Sequence, residues 1–193
     1  IKNPISRIEV ASAGGYLSYE NIADKATVAG VEVEVRKNLF VRPLSSAANG
    51  MNKLSFGLNG SYIYTNAKMP LATVTTGSQL EGAAPWIANF DLSHNFTKGN
   101  HSFINTLVLN YVSDKIYTIG TQGYQDIMEQ GMMTLDFVSQ AKLNKYVSLT
   151  LKARNLLNPS YKLSRKANES GEKVVLSDYK KGINISLGVS CTF

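Results

Sequence analysis

The sequence is poor in the residues that several common protein classes require. It holds one cysteine, Cys191, so neither a disulfide framework nor a cysteine-based zinc site can form. No run approaches the ~18 consecutive apolar residues of a membrane helix, which excludes a helical membrane protein. Charged residues make up 18% of the 193 residues, below the roughly 25% of soluble domains. The 44% hydrophobic content nevertheless predicts a folded chain rather than a disordered one.

Residue groups that would indicate catalysis or cofactor binding are also scarce. The two histidines, His94 and His101, flank a predicted tight turn without an acidic cluster beside them, so we expect no metal site. No Ser/His/Asp arrangement and no phosphate-binding glycine loop is present. The net charge is +6, yet no basic stripe with interleaved aromatic residues forms. We therefore expect no enzyme, no cofactor and no nucleic-acid partner.

The clearest positive signal is strict alternation at the end of the chain. From 183 to 193 every odd position is apolar, counting Cys191, and every even position is polar or small. A period of two predicts a strand with one apolar and one polar face. Its eleven residues exceed a usual strand of about 5–6 and match the ~9–11 residues with which a tilted strand crosses a bilayer.

The same alternation recurs through most of the chain and predicts an all-β fold. No segment carries a convincing helical period. We count about nine strands in antiparallel, meander order; they fall near residues 1–10, 15–22, 31–36, 54–65, 86–96, 101–112, 133–142, 147–154 and 183–193.

The predicted connections alternate in length, which favours a transmembrane β-barrel. Tight turns are expected at 98–100 and 144–145, whereas 67–84, 113–130 and 157–182 read as loops of 18 or more residues. Long extracellular loops and short periplasmic turns are typical of outer-membrane barrels. In a soluble sandwich, structureless loops of this length would count against the assignment.

Six stretches, in order, resemble the C-terminal part of a TonB-dependent outer-membrane receptor, most closely the Bacteroidetes type, whose plug follows a carboxypeptidase-regulatory-like domain. They are the "GVE" strand at 29–39, the returning strand at 60–67, the "P-x-x-x-N" start at 84–89, the rising strand at 110–116, the "N-L-L-N-P-x-Y" ending at 151–161, and the closing strand that ends at Phe193.

This resemblance implies that residues 1–193 are the C-terminal part of a larger barrel of about 22 strands, without its plug and earlier strands. The implied function is the wall of a transporter that takes up a scarce ligand: a ferric siderophore, cobalamin, a glycan or a peptide. The implied partners are outer-membrane lipid and lipopolysaccharide, the rest of the receptor, and the inner-membrane TonB complex through the plug. The implied location is the bacterial outer membrane.

Two alternatives from other classes remain open at this stage. A soluble β-sandwich used as a binding module would also show alternating strands, with the apolar face buried between two sheets. A structural or adhesion-type outer-membrane barrel would share the wall without any transport.

Three sets of residues are candidate functional groups. A charge on the lipid face would be costly, so we expect the charges on the polar phase to face the lumen: Glu32, Glu34, Arg36, Asp91, Asp136, Lys152 and Arg154. The basic loop 157–182 supplies candidate extracellular contacts for an anionic ligand: Lys162, Arg165, Lys166 and Lys173. The resemblance makes Phe193 a membrane-assembly signal.

Overall fold

The computed structural model describes residues 1–10, 16–44, 50–67, 79–121, 124–167 and 171–192. Across these ranges the fold is all-β and the strand pairing is antiparallel, as predicted. The strands are β1 (Ile5–Val10), β2 (Tyr16–Asn21), β3 (Ala26–Pro43), β4 (Met51–Ala67), β5 (Trp86–Lys98), β6 (His101–Val112), β7 (Lys115–Thr118), β8 (Ile127–Glu129), β9 (Met132–Lys142), β10 (Val147–Arg154), β11 (Ser160–Lys166), β12 (Lys173–Lys180) and β13 (Asn184–Cys191).

Seven strands form one large sheet in the order β13-β10-β9-β6-β5-β4-β3. Strands adjacent in this sheet follow one another along the chain, apart from two excursions that leave after β6 and after β10. A meander of this kind needs only local pairing, because antiparallel neighbours can be joined by tight turns. The sheet does not close, so β3 and β13 are its two edges.

The register separates the large sheet into two chemically distinct faces. Directly paired residues of antiparallel strands point to the same side, so pairs such as Leu58–Phe90 and Leu151–Leu187 belong to one surface. We call this side the apolar face; it includes Val31, Val33, Phe56, Leu58, Tyr62, Trp86, Phe90, Leu92, Leu107, Leu109, Leu135, Phe137, Leu149, Leu151, Leu187 and Val189. The opposite side is the polar face, and the register places Phe56, Phe90, Leu149 and Leu187 together on the apolar one.

The two ends of the large sheet differ as the loop lengths predicted. At one end β5 turns into β6 through Gly99 and Asn100, where Gly99 takes a positive φ of 59° that suits glycine. Four residues join β9 to β10 at the same end. We call this the short-turn end. At the opposite, long-loop end the chain leaves the sheet after β4, β6 and β10.

The nine predicted segments are strands, but only seven of them join the meander. β1 and β2 pair with each other in a separate sheet. Each has six residues, about 20 Å at ~3.3 Å per residue, which is too short to run the length of the large sheet.

Two regions read as long loops also contain strands. β7 and β8 lie within 113–130, and β11 and β12 lie within 157–182; together they form a four-stranded sheet in the order β12-β11-β8-β7. The strand propensity of β12 comes from Val174, Val175 and Leu176. The sequence did not predict this strand, because lysines lie on both sides of it. Much of the third predicted loop, 67–84, lies outside the described residues.

The buried core lies at the long-loop end, where the small sheets meet the start of β3. It consists of Ile8, Ile22, Ala23, Ala26, Ala67, Ile116 and Ile119. Backbone hydrogen bonds tie β1 to this region, because Glu9 N donates to Ile119 O and Ile119 N donates to Arg7 O, at 3.2 and 3.0 Å. The core therefore joins β1, the chain after β7 and the ends of β3 and β4.

The apolar face, in contrast, is open. Leu187 is 72% exposed and Trp86 57%. A β-sandwich would bury these side chains against a second sheet, so the exposure argues against the sandwich alternative.

The buried core gives a direct stability prediction. Ile119 is 1% exposed, so Ile119→Ala should leave a cavity and destabilise the long-loop end by about 2–5 kcal/mol. Hydrogen–deuterium exchange of the β1 and β7 amides should report the loss. The control Val174→Ala, at a residue that is 50% exposed, should change stability by no more than about 0.5 kcal/mol. Equal effects of the two substitutions would contradict this assignment of the core.

Candidate functional site

All seven charges predicted to face the lumen lie on the polar face. Arg36 and Asp91 both pair with Gly57, from the two sides of β4. Asp136 pairs with Val108, and Arg154 pairs with Asn184. Glu32, Glu34 and Lys152 share the same phase of their strands. Their placement toward a lumen stays a prediction, since the sheet is open.

A row of hydrogen-bonded polar side chains crosses this face. Asn59 Nδ2 donates to Glu32 Oε1 at 2.5 Å, and Asn89 Nδ2 donates to Asn59 Oδ1 at 3.3 Å. One strand further, Asn110 Nδ2 donates to Thr134 Oγ1 at 3.4 Å. Sequence reasoning missed this row, because one amide per strand carries no signal until the register is known.

A small cavity of about 250 Å³ lies on the polar face over β4, lined in part by Glu34, Arg36 and Asp91. It exists because Gly57 has no side chain; a Cβ there would collide with the Asp91 carboxylate. Arg36 forms an ion pair with Glu34. Two carboxylates beside one guanidinium leave the lining with a net negative charge.

Aromatic pairs mark both ends of the apolar face. The rings of Tyr62 and Trp86 lie 4.6 Å apart near the long-loop end, and those of Phe96 and Phe103 lie 6.4 Å apart near the short-turn end. Ten residues separate Trp86 from Phe96 along β5, about 33 Å of strand. At the tilt of about 40° found in membrane barrels this spans about 25 Å, the height of their apolar band.

One polar row interrupts the apolar face. His94 pairs with Asn105, which pairs with Ser139. The side chains satisfy one another in part: His94 Nε2 lies 2.8 Å from Asn52 Oδ1, and Ser139 Oγ donates to Asn105 Oδ1 at 2.7 Å. We call Asn52, His94, Asn105 and Ser139 the polar row; His94, Asn105 and Ser139 lie two residues inward of the Phe96–Phe103 pair, and Asn52 lies level with it.

The basic residues proposed as ligand contacts separate into two groups. Arg165, Lys166 and Lys173 line one cavity of about 420 Å³ at the long-loop end, together with Asp114, Gln125, Asp126, Met128 and Ser164. Lys162 is not part of this lining; its Nζ forms an ion pair with Asp178 at 3.3 Å. The sequence indicated the cations of the cavity but not Asp114, which lies between β6 and β7, or Ser164, which pairs with Met128 across β11 and β8.

Arg165 is held firmly at the wall of this cavity. Its guanidinium forms an ion pair with Glu9 of β1 and lies 5.2 Å from the ring centre of Tyr124. Ser164, beside it, is buried, and its Oγ accepts a hydrogen bond from Gln130 Nε2 at 3.1 Å.

The "N-L-L-N-P" motif forms the turn by which the chain leaves β10. Asn155 and Asn158 adopt positive φ values of 58° and 45°, a conformation that asparagine tolerates better than most residues. Asn155 N donates to Asp136 Oδ1 at 2.8 Å, and Asn155 Nδ2 donates to Gly182 O at 2.7 Å. Gly182 N in turn donates to Asn158 Oδ1 at 3.1 Å. The motif therefore anchors both ends of the β11–β12 excursion.

A hydrogen-bonded cluster joins β7, β8 and β11. Tyr161 donates from its hydroxyl to Glu129 Oε2 at 3.1 Å, and Lys115 Nζ lies 3.2 Å from Glu129 Oε1. Burial, followed by the negative charge of Glu129, raises the pKa of Tyr161 to about 12.

Neither metal-binding clusters nor spanning helices occur in the part of the chain that the structure describes. No group of three or more His, Cys, Asp or Glu residues there could hold a metal ion. No helix there is long and apolar enough to cross a membrane. Phe193, the proposed assembly signal, lies outside the described residues.

The meander, its two unlike faces and its long-loop end are the features of a β-barrel wall. A family model described as "TonB dependent receptor-like, beta-barrel" matches residues 1–156. The chain therefore belongs to the family of TonB-dependent receptor β-barrels, whose members are transporters rather than enzymes. The match ends before β11. Comparisons with curated proteins and with solved structures found no match.

The positive φ of Asn155 makes its substitution informative. Asn155→Ala should lose the hydrogen bond to Gly182 and strain the backbone, destabilising the β11–β12 excursion by about 2 kcal/mol. Asn155→Gly loses the same bond without strain, so about 1 kcal/mol is expected. Urea unfolding with hydrogen–deuterium exchange of the hairpin would measure both. Equal losses would contradict the strain argument.

The raised pKa of Tyr161 predicts an alkaline instability. The folded pKa lies above the ordinary value of 10.0, so the hydroxyl contributes stability below pH ~10 that disappears as the pH rises through about 12. Urea midpoints of wild type and Tyr161→Phe should therefore differ below pH 10 and converge between pH 10 and 12. Tyr19→Phe, at an exposed tyrosine, should show no such convergence. A pH-independent difference for Tyr161→Phe would contradict the prediction.

Proposed function

We propose that the chain forms part of the wall of an outer-membrane receptor that takes up a scarce ligand by TonB-energised transport. The observation that supports the proposal is the two-faced sheet: an uncovered apolar face of barrel height opposite a polar face with paired charges and hydrogen-bonded amides. The family membership agrees with it. Ferric siderophores, cobalamin, glycans and peptides remain the candidate ligands.

In this proposal the two faces meet different surroundings. The apolar face contacts outer-membrane lipid and lipopolysaccharide, since hydrocarbon tolerates its exposed leucines and valines. The polar face lines the lumen, where Glu32, Glu34, Arg36, Asp91, Asp136, Lys152 and Arg154 contact the plug or the permeation path. Phe193 serves as the assembly signal.

The remaining partners follow from the receptor architecture. β3 and β13 pair with further strands of the barrel, because an open edge is not tolerated in hydrocarbon. A plug relays energy from the inner-membrane TonB complex. Membership of the Bacteroidetes type and the extent of the barrel domain over 1–193 stay predictions.

The orientation of the sheet is tested by moving one charge between the faces. Leu187 and Ser186 are neighbours on β13, paired with Leu151 and Lys152. Leu187→Arg should place a charge against lipid at a cost of about 2–4 kcal/mol, and should sharply lower the amount of complete receptor recovered in the outer membrane.

Ser186→Arg is the matched control, because the same side chain would then project from the polar face, where water solvates it. Its recovery should exceed that of Leu187→Arg and fall below the wild type only by the effect of the like charge on its register partner Lys152. The recoveries can be measured by membrane fractionation and by the mobility of unheated and heated samples in gels. Equal recovery of the two variants would contradict the barrel-wall proposal.

A further inference from the structure

Two lysines face each other across the β11–β12 hairpin. The register pairs Lys166 directly with Lys173. Like charges in directly opposed positions of an antiparallel pair destabilise it. Both side chains are exposed, and none of the ion pairs among the described residues involves either of them. The pair therefore concentrates two positive charges without a carboxylate from this part of the chain.

The lysines share a cavity with further hydrogen-bond donors. Both line the 420 Å³ cavity at the long-loop end, as do Arg165, Ser164 and Gln125. Ser164 Oγ accepts from Gln130, so its own hydroxyl hydrogen can be donated elsewhere. Ammonium groups, a hydroxyl and an amide NH₂ are groups that bind carboxylates and phosphates.

The acidic residues of the same cavity are engaged by the backbone. Asp114 Oδ1 accepts a hydrogen bond from Gly131 N at 2.6 Å, and Asp126 Oδ1 accepts one from Gly120 N at 2.8 Å. Glu9 is paired with Arg165. These carboxylates thus have structural roles in the β6–β8 connection and at β1, and none of the ion pairs among the described residues joins them to Lys166 or Lys173.

We propose that this cavity binds an anionic group, a carboxylate or a phosphate, between Lys166 and Lys173. The anion neutralises the opposed ammonium groups and accepts hydrogen bonds from them, while Arg165 and Ser164 border the site. Met128 in the lining places an apolar surface beside the anion, which suits a charged group carried on a larger molecule. The inference rests on the proposed function and names the ligand chemistry of its basic loop.

The test compares two variants with the same change in charge. Receptor that carries this chain is purified in detergent at low ionic strength, since salt screens exposed charges. Inorganic phosphate and citrate are titrated by calorimetry into wild type, into the double variant Lys166→Gln/Lys173→Gln, and into the control Lys98→Gln/Lys180→Gln. Both control lysines are exposed, and neither lines the cavity.

We expect the wild type to bind at least one anion and the cavity variant to bind it about tenfold or more weakly. The control variant should stay within about twofold of the wild type. Absence of binding to the wild type, or equal weakening in both variants, would overturn the proposal.

A stability measurement separates ligand binding from a merely structural role. Without added anion, Lys166→Gln/Lys173→Gln should raise the unfolding midpoint, because it removes the opposed charges. Added phosphate or citrate should raise the midpoint of the wild type and leave that of the variant unchanged. An equal rise in both proteins would contradict the site.

A final arm distinguishes the two sources of the anion. Detergent-solubilised lipopolysaccharide and its dephosphorylated form are added as competitors of the bound anion. Competition only by the phosphorylated form identifies a lipid phosphate, and competition by neither form identifies a soluble ligand; both results support the site. Absence of anion binding to a wild-type receptor whose Leu187→Arg and Ser186→Arg variants behave as expected would refute the anion site and leave the proposed function standing.

Discussion

The separation of the large sheet into an apolar and a polar face depends on the antiparallel register of its seven strands. Because side chains alternate with a period of two, a slip of one residue between any two strands would move apolar side chains to the polar face. From β3 to β13 no such exchange occurs in the paired rows: Val33, Phe90 and Leu187 stay on one side. A bulge near Asn38 does shift the β3–β4 register, close to the short-turn end. The two small sheets lie at the opposite, long-loop end, where the chain leaves the large sheet after β4, β6 and β10.

The fold could be predicted from the sequence where residue polarity and the period of two indicate the same structure. The β13 alternation and the Gly99–Asn100 turn can both be predicted from the sequence, because each depends on neighbours one to four residues apart. The pairing of β1 with β2 was not legible, since six-residue segments show the same alternation whether they cross a membrane or not. The β11–β12 hairpin could not be recognised in the sequence, because its two strands are rich in lysine, which is uncommon in strands.

In the candidate site, too, some features could be predicted from the sequence and others could not. The charges of the polar face follow from alternation alone, as Glu32, Glu34 and Arg36 illustrate. The opposed positions of Lys166 and Lys173, by contrast, depend on a register seven residues apart in sequence. The hydrogen bonds from Glu32 to Thr134 across the polar face need the relative positions of five strands. The roles of Asn155 and Asn158 need backbone dihedral angles. The residue types in the sequence indicate which charged and polar groups the site contains, while the pairing of the strands determines which side chains are in contact.

The polar row has a consequence for the surrounding lipid. It limits the uninterrupted apolar stretch on β5 to the residues from Trp86 to Leu92, about 20 Å of strand and about 15 Å of height at the same tilt. On β10 the apolar residues run from Val147 to Ala153, again about 20 Å of strand. A span of about 15 Å is shorter than the roughly 25 Å apolar band of membrane barrels, and a bilayer meets such a hydrophobic mismatch by thinning locally. The membrane beside this wall should therefore be locally thinned.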